Sequence, residues 1–261
     1  MPSFRQTTAE GDPIEAAILL VGATLDITGN TTRYLSDGRV LSNAGTVRWS
    51  DNGVVYVSFG HAAMVNNLTG ALWDFQGAGS LLGFYASTLT FNNAGTLRKS
   101  GGTGISEIGE GSADRPKRFD NSGVVEALSG TLRLMTAATT STHTGRFNAT
   151  GGVIEFYAGT HVVEATGTLA GDATGIRFAG ATVTILGGYE ARGIAISRAG
   201  SVALDGDHTF DSVSVDSGTL ALNGTVDTGT LRVSNGTIAG NGLTRVNSAM
   251  TWTGGTLGGS G

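Results

Sequence analysis

The sequence predicts an all-β protein wound as a right-handed parallel β-helix, a β-solenoid of roughly 10–12 coils. Three observations predict it: one strand-and-turn unit recurs along the chain, glycines open strands at a regular interval, and an apolar–x–apolar triplet follows each of those glycines.

The recurring unit is clearest in Phe91-Asn-Asn-Ala-Gly-Thr-Leu-Arg-Lys-Ser-Gly-Gly-Thr-Gly104, a polar turn, a short strand and a second glycine turn. Looser copies are Leu41-Ser-Asn-Ala-Gly-Thr-Val-Arg-Trp49, Val65-Asn-Asn-Leu-Thr-Gly-Ala-Leu-Trp73 and Phe119-Asp-Asn-Ser-Gly-Val-Val-Glu-Ala127. Strand-opening glycines sit at 22, 45, 70, 95 and 123, in steps of 23, 25, 25 and 28. Later ones sit at 200, 218, 236 and 255, in steps of 18, 18 and 19, so the coils shrink towards the C-terminus.

The triplets include Leu25-Asp-Ile27, Val47-Arg-Trp49, Trp73-Asp-Phe75, Leu132-Arg-Leu134, Ile154-Glu-Phe156 and Leu231-Arg-Val233. Side chains alternate faces along a strand, so the flanking residues point inward and the charged middle ones into water. Strands this short bury too little alone, and stacking gives them one continuous core. A similar motif recurs once per coil rather than in hairpin pairs, which favours parallel winding; parallel crossovers favour the right hand. Asn43, Asn93 and Asn121, each two residues before a glycine, either stack as an internal amide ladder or serve as turn residues.

Residues 1–21 read as a lead-in or end-cap segment and 22–261 as the repeats. Within the lead-in, Asp12-Pro13-Ile14-Glu15 has the form of a helix start, in competition with a plain strand through Ile18–Val21. The last residues, Gly254–Gly261, stop within a repeat, which suggests a piece of a longer protein.

Composition agrees with the fold. The chain has 43 glycines, 3 prolines, 14% charged and 39% hydrophobic residues, too apolar for a disordered chain and too poor in proline for collagen. A net charge of −5 offers no basic field, so nucleic acid is not an expected partner. Without cysteine there is no disulfide frame, thiol nucleophile or zinc knuckle. The longest apolar run, Ala16–Val21, is too short to insert in a bilayer, and Met1-Pro-Ser-Phe-Arg5 does not form a signal peptide.

Asn92-Asn-Ala-Gly-Thr-Leu-Arg-Lys-Ser-Gly-Gly102, Ser129-Gly-Thr-Leu-Arg-Leu134, Tyr157-Ala-Gly-Thr-His161 and Ser217-Gly-Thr-Leu-Ala-Leu222 resemble the repeats of bacterial surface and secreted β-solenoid proteins. These are autotransporter passengers, filamentous-haemagglutinin-like adhesins and related pectin-lyase-like repeats. The resemblance covers roughly 22–261, and no membrane-barrel segment accompanies it. It implies an elongated extracellular or cell-surface scaffold, exported by a signal outside this chain, with host-surface or matrix glycans or proteins as partners.

Catalysis is not expected. Polygalacturonase-type hydrolases on this architecture carry clustered aspartates, a Gly-His-Gly and an Arg-x-Lys. Here there is no Asp-Asp, Gly60-His61 is followed by Ala62, and the Arg-x-Lys spacing is met only by Arg115-Pro116-Lys117. No cofactor is expected. Asp205, Asp207 and Asp211 form the densest acidic cluster, a weak metal candidate set against the simpler reading of an Asp-Gly-Asp turn.

Loop 101–118 offers Glu107, Glu110, Asp114, Arg115, Lys117 and Arg118 as a partner surface, or is a solvated insertion. Thr-x-Thr pairs at 88, 142, 166, 182, 228 and 251 are too irregularly spaced to form one array. His61, His143, His161 and His208 are scattered and expected in turns. Trp49, Trp73, Phe75, Phe156 and Trp252 fall on core positions, while Tyr56, at a middle position, is an exposed aromatic. The expected function is a rigid stalk or spacer, with a carbohydrate-active or carbohydrate-binding module and a phage-type fibre as alternatives.

Overall fold

The computed structural model describes residues 6–7, 13–14, 16–110 and 115–259. It is a parallel β-solenoid of about 11 turns, with no helix among the described residues. Every pairing between its strands is parallel except a short antiparallel one of Gln6–Thr7 with Pro13–Ile14. The helix start expected at 12–15 is not formed: Pro13–Ile14 is strand, and Asp12 and Glu15 lie outside the described residues. Strand Ala16–Leu19 is already part of the solenoid, pairing with Arg39–Asn43 of the next coil.

Each coil carries up to three short strands, so the stack has three faces. The first face stacks Thr24–Ile27, Thr46–Trp49, Leu72–Phe75, Thr96–Lys99, Val124–Ala127, Arg146–Ala149, Thr168–Gly171 and Gly188–Tyr189. The second runs from Arg33–Leu35 through Val54–Val57, Ser80–Gly83 and Ile105–Gly109 to the C-terminal part of Thr244–Trp252. The third runs from Ala16–Leu19 through Arg39–Asn43, Ala62–Asn67 and Thr88–Asn93 to Thr256–Leu257. Thr131–His143 and Val153–Val163 continue around the corner between the second and third faces. Ala138, at φ 56°, takes that bend in the left-handed region.

Coil length follows the register. Thr96 lies under Val124, 28 residues on; Thr168 lies under Gly188, 20 on; Thr219 lies under Thr237, 18 on. The taper seen in the glycine steps is therefore a taper of the molecule.

The triplets do what alternation requires. Val47, Trp73, Leu97, Val125, Phe147 and Leu169 make one inward column, and Leu81, Ile108, Leu134, Phe156, Phe178 and Ile196 another, all buried. Burying each such large side chain contributes about 1.5–3 kcal/mol, and adjacent rungs share the benefit. The stacked rings Phe156 and Phe178 lie 5.4 Å apart, and Trp49 lies 5.3 Å from Phe75. Gly79 makes room for Trp49: a Cβ there would sit 2.1 Å from the indole Nε1. Trp252 is the exception among the expected core residues. It occupies the right column over Val233 but is 56% exposed, because no described strand stacks beyond it.

Candidate functional surfaces

The expected amide ladder exists, and it has four members. Asn43 Nδ2 donates to Asn67 Oδ1, Asn67 Nδ2 to Asn93 Oδ1 and Asn93 Nδ2 to Asn121 Oδ1, each at 2.8 Å. The same three Nδ2 groups also donate to Leu72 O, Thr96 O and Val124 O, at 3.0, 3.0 and 2.9 Å. All four side chains are buried, and each donor reaches both the next amide and the next strand's backbone. Asn67 escapes the two-before-glycine rule because its turn is two residues longer, with Leu72 rather than a third-following residue opening the strand.

On the next rung the ladder changes chemistry. His143 stacks on Asn121, and its Nε2 lies 3.0 Å from Nδ1 of His161. His161 Nε2 is 3.1 Å from the Ala158 carbonyl and 3.3 Å from Thr136 Oγ1. Both imidazoles are fully buried among Phe119, Phe147 and Phe156, which corrects the expectation that they sit in turns. Burial pushes His161 down to about 4, against the smaller upward pull of the Ala158 carbonyl and Asp120. His143 lies well below the ordinary histidine range through burial and then the neighbouring His161. Two neutral imidazoles thus replace the amides, a structural and not a catalytic role.

The outward middle positions form ladders of alternating sign. Asp26, Arg48, Asp74, Arg98 and Glu126 share one column; Arg48 Nε meets Asp26 Oδ1 and Arg98 Nε meets Glu126 Oε2, both at 2.8 Å. On the second face Arg133 joins Glu107 at 2.8 Å and Glu155 at 2.6 Å, and its guanidinium lies 4.2 Å from the Tyr157 ring centre. Burial works against the Arg133 charge, yet the bonds to Glu155 and Glu107 outweigh it and hold its pKa above the usual value.

Loop 101–118 does not present one recognition surface. Glu107 is taken by Arg133, and Arg118 pairs with Asp120 at 2.6 Å. Lys117 is fully buried, with Glu110 Oε2 3.7 Å from its Nζ, so it is not available to a partner. Arg115 is exposed and Asp114 lies outside the described residues. With Lys117 buried and Arg115 in solvent, the Arg-x-Lys spacing converges on no common point. Lys99 is also fully buried: its Nζ donates to Gly77 O at 2.7 Å and to Gly101 O, and burial lowers its pKa against the pull of Asp74.

The acidic cluster is dispersed into structural work. Asp205 accepts from Asn223 Nδ2 and Asp207 from the Thr225 amide, each at 2.7 Å, while Asp211 pairs with Arg192 at 2.6 Å. Each bond ties one coil to an adjacent coil. Among the described residues no group of three or more His, Asp or Glu is placed to hold a metal ion.

Two features have no counterpart in the motif reading. Thr140, Thr160, Thr182, Ser201, Thr219, Thr237 and Thr256 lie in register, a seven-rung hydroxyl row on the third face. It escapes a Thr-x-Thr search because Ala203, Ala221 and Ala239 take the second position on successive rungs. The second feature is a corner where Tyr34, Phe59, Phe84 and Tyr85 are 67, 65, 41 and 56% exposed. Tyr56 joins them, half-buried, 6.5 Å from Tyr34 and 5.5 Å from Phe84.

Fold and ladders together define a parallel β-solenoid repeat protein. Comparison with family models, curated proteins and solved structures gives no match.

Proposed function

We propose that this chain is a non-enzymatic structural or adhesive segment of a bacterial cell-surface or secreted protein, working outside the cell as a rigid stalk or spacer. One observation carries the reading: three hydrogen-bonded faces surround a single filled core through about 11 turns. Bending such a rod must lengthen a ladder on its convex side, and with three faces no direction is soft. At about 4.8 Å per coil the rod is on the order of 50 Å long. The kinship to autotransporter passengers or filamentous-haemagglutinin-like adhesins belongs to this proposal, as do glycan or protein partners at the host surface or matrix.

Two measurements test it. Scattering should return a stiff rod of that length, and an antibody to the segment should label intact cells making the full-length protein. Labelling only after the cells are permeabilised, or hydrolysis of a polysaccharide by the segment, overturns the proposal.

A further inference from the structure

The exposed aromatics are not scattered. Among the described residues the exposed aromatic side chains are Tyr34, Phe59, Phe84, Tyr85 and Trp252, and the first four share one corner of three consecutive coils. Tyr34 and Tyr56 are in register on the second face. Where that face turns into the third, Phe84 N bonds to Val57 O, which sets turn 84–87 above turn 58–61. Tyr85 therefore stands over Phe59. Ala86, at φ 43°, matches Gly60, at φ 75°, so the turn bearing Tyr85 holds a non-glycine residue in the left-handed region. Ring contacts are continuous from Tyr34 to Tyr56, Phe84 and Tyr85, at centre distances of 6.5, 5.5 and 5.0 Å.

Polar groups sit within the same corner. Asp37 Oδ1 and His61 Nδ1 are 2.8 Å apart and both exposed, and Ser36 Oγ is 2.5 Å from Ser58 Oγ. Rigid rings beside a few fixed hydrogen-bonding groups are the makeup of a ligand site. Three rungs span only about 10–15 Å. That is too little for the roughly 800 Å² per partner of a stable protein interface. A pyranose fits both constraints, with an apolar C–H face to lie on a ring and a rim of hydroxyls to meet the carboxylate, imidazole and serines. The aspartate of the corner is matched by its histidine, leaving no unopposed cation in the pair to select an acidic ligand.

We propose that this corner binds a neutral glycan over two or three sugar rings, with Tyr34 and Tyr85 as the principal stacking platforms. The site goes beyond the scaffold reading, which stands or falls on rod stiffness and surface display and not on sugar binding.

Native electrophoresis of the full chain through gels containing galactomannan, xyloglucan or hydroxyethyl cellulose tests it, with polygalacturonate as the acidic control. Retardation is expected in at least one neutral gel, weakened at least tenfold in Tyr34→Ala/Tyr85→Ala and in the milder Tyr85→Ser. Both variants alter exposed side chains, and their circular dichroism should match the parent's. No retardation in any neutral gel, retardation unchanged in the variants, or retardation by polygalacturonate alone overturns the proposal. A dimer in light scattering that the same substitutions abolish would assign the corner to a second copy and overturn it too.

Discussion

Acid should loosen the middle of this rod before its ends, and the His143–His161 pair sets how much. Both imidazoles are neutral in the fold, His161 with a pKa of about 4 and His143 also well below the ordinary value of 6.5. In the unfolded chain each titrates near 6.5. Above that pH neither state binds the proton and these groups leave stability unchanged. As pH falls from 6.5 towards 4 the unfolded chain takes up protons that the fold refuses, so stability is lost. At pH 5 the loss is about 2 kcal/mol for His161 and about 4 kcal/mol for the pair. A solenoid unfolds in blocks of coils, so the measurement is hydrogen exchange of strands 140–143 and 160–163 at pH 7.5 and 5.0, corrected for intrinsic rates. Their protection should fall by about 2–4 kcal/mol while strands 46–49 and 72–75 keep theirs. The variant His143→Asn/His161→Val carries the side-chain types of neighbouring rungs in those columns, Asn121 and Val183. It should lose the local pH response. Protection that is flat with pH in the parent, or falls as far in the variant, refutes the argument.

Asn93→Ala removes a donor shared by Asn121 Oδ1 and Val124 O and an acceptor for Asn67, all in the buried ladder; a loss of about 3–5 kcal/mol is expected in denaturant melts. Gly123→Ala would place a Cβ 2.1 Å from Gly95 O and 2.7 Å from Ala94 C, both backbone. Thermal melting should show a loss of about 3 kcal/mol or more, and an unchanged midpoint would contradict the close approach. Arg133→Met leaves Glu107 and Glu155 facing each other without their cation, so about 1–3 kcal/mol should be lost at low salt. Raising the salt concentration should narrow that gap, because it screens the two carboxylates.

Much of the architecture was legible because stacking repeats the same physical demand on every rung. The charged middle residues Arg48, Asp74 and Arg133 announced an outward face, and Val47, Trp73 and Leu132 an inward one. The amide ladder was legible in part: Asn43, Asn93 and Asn121 keep one offset from glycine, and a longer turn hides Asn67. His143-Thr-Gly145 repeats that offset, so its place on the ladder was available from alignment with Asn121-Ser-Gly123. Likewise Lys99 ends the triplet Leu97-Arg-Lys99 at an inward position, where Phe75 and Ala127 are its neighbours. Its cage of carbonyls from Gly77 and Gly101 depends on tertiary placement and had no local signal. Trp252 shows the converse, a correct column without burial, since shielding comes from the rung above. The aromatic corner was not legible because Tyr34, Phe59 and Tyr85 lie in strands and turns of different coils, and only winding gathers them.

The narrowing of the coils has a consequence for how the chain finds its partners. A coil of 28 residues and one of 18 enclose different cross-sections, and along one inward column the occupants change from asparagine through histidine to valine, isoleucine and leucine. Slipping the wrap by one full repeat would mate an amide with an aliphatic side chain and a wide loop with a narrow one. Near-identical repeats invite such mispairing during folding, and graded ones give each winding its own address.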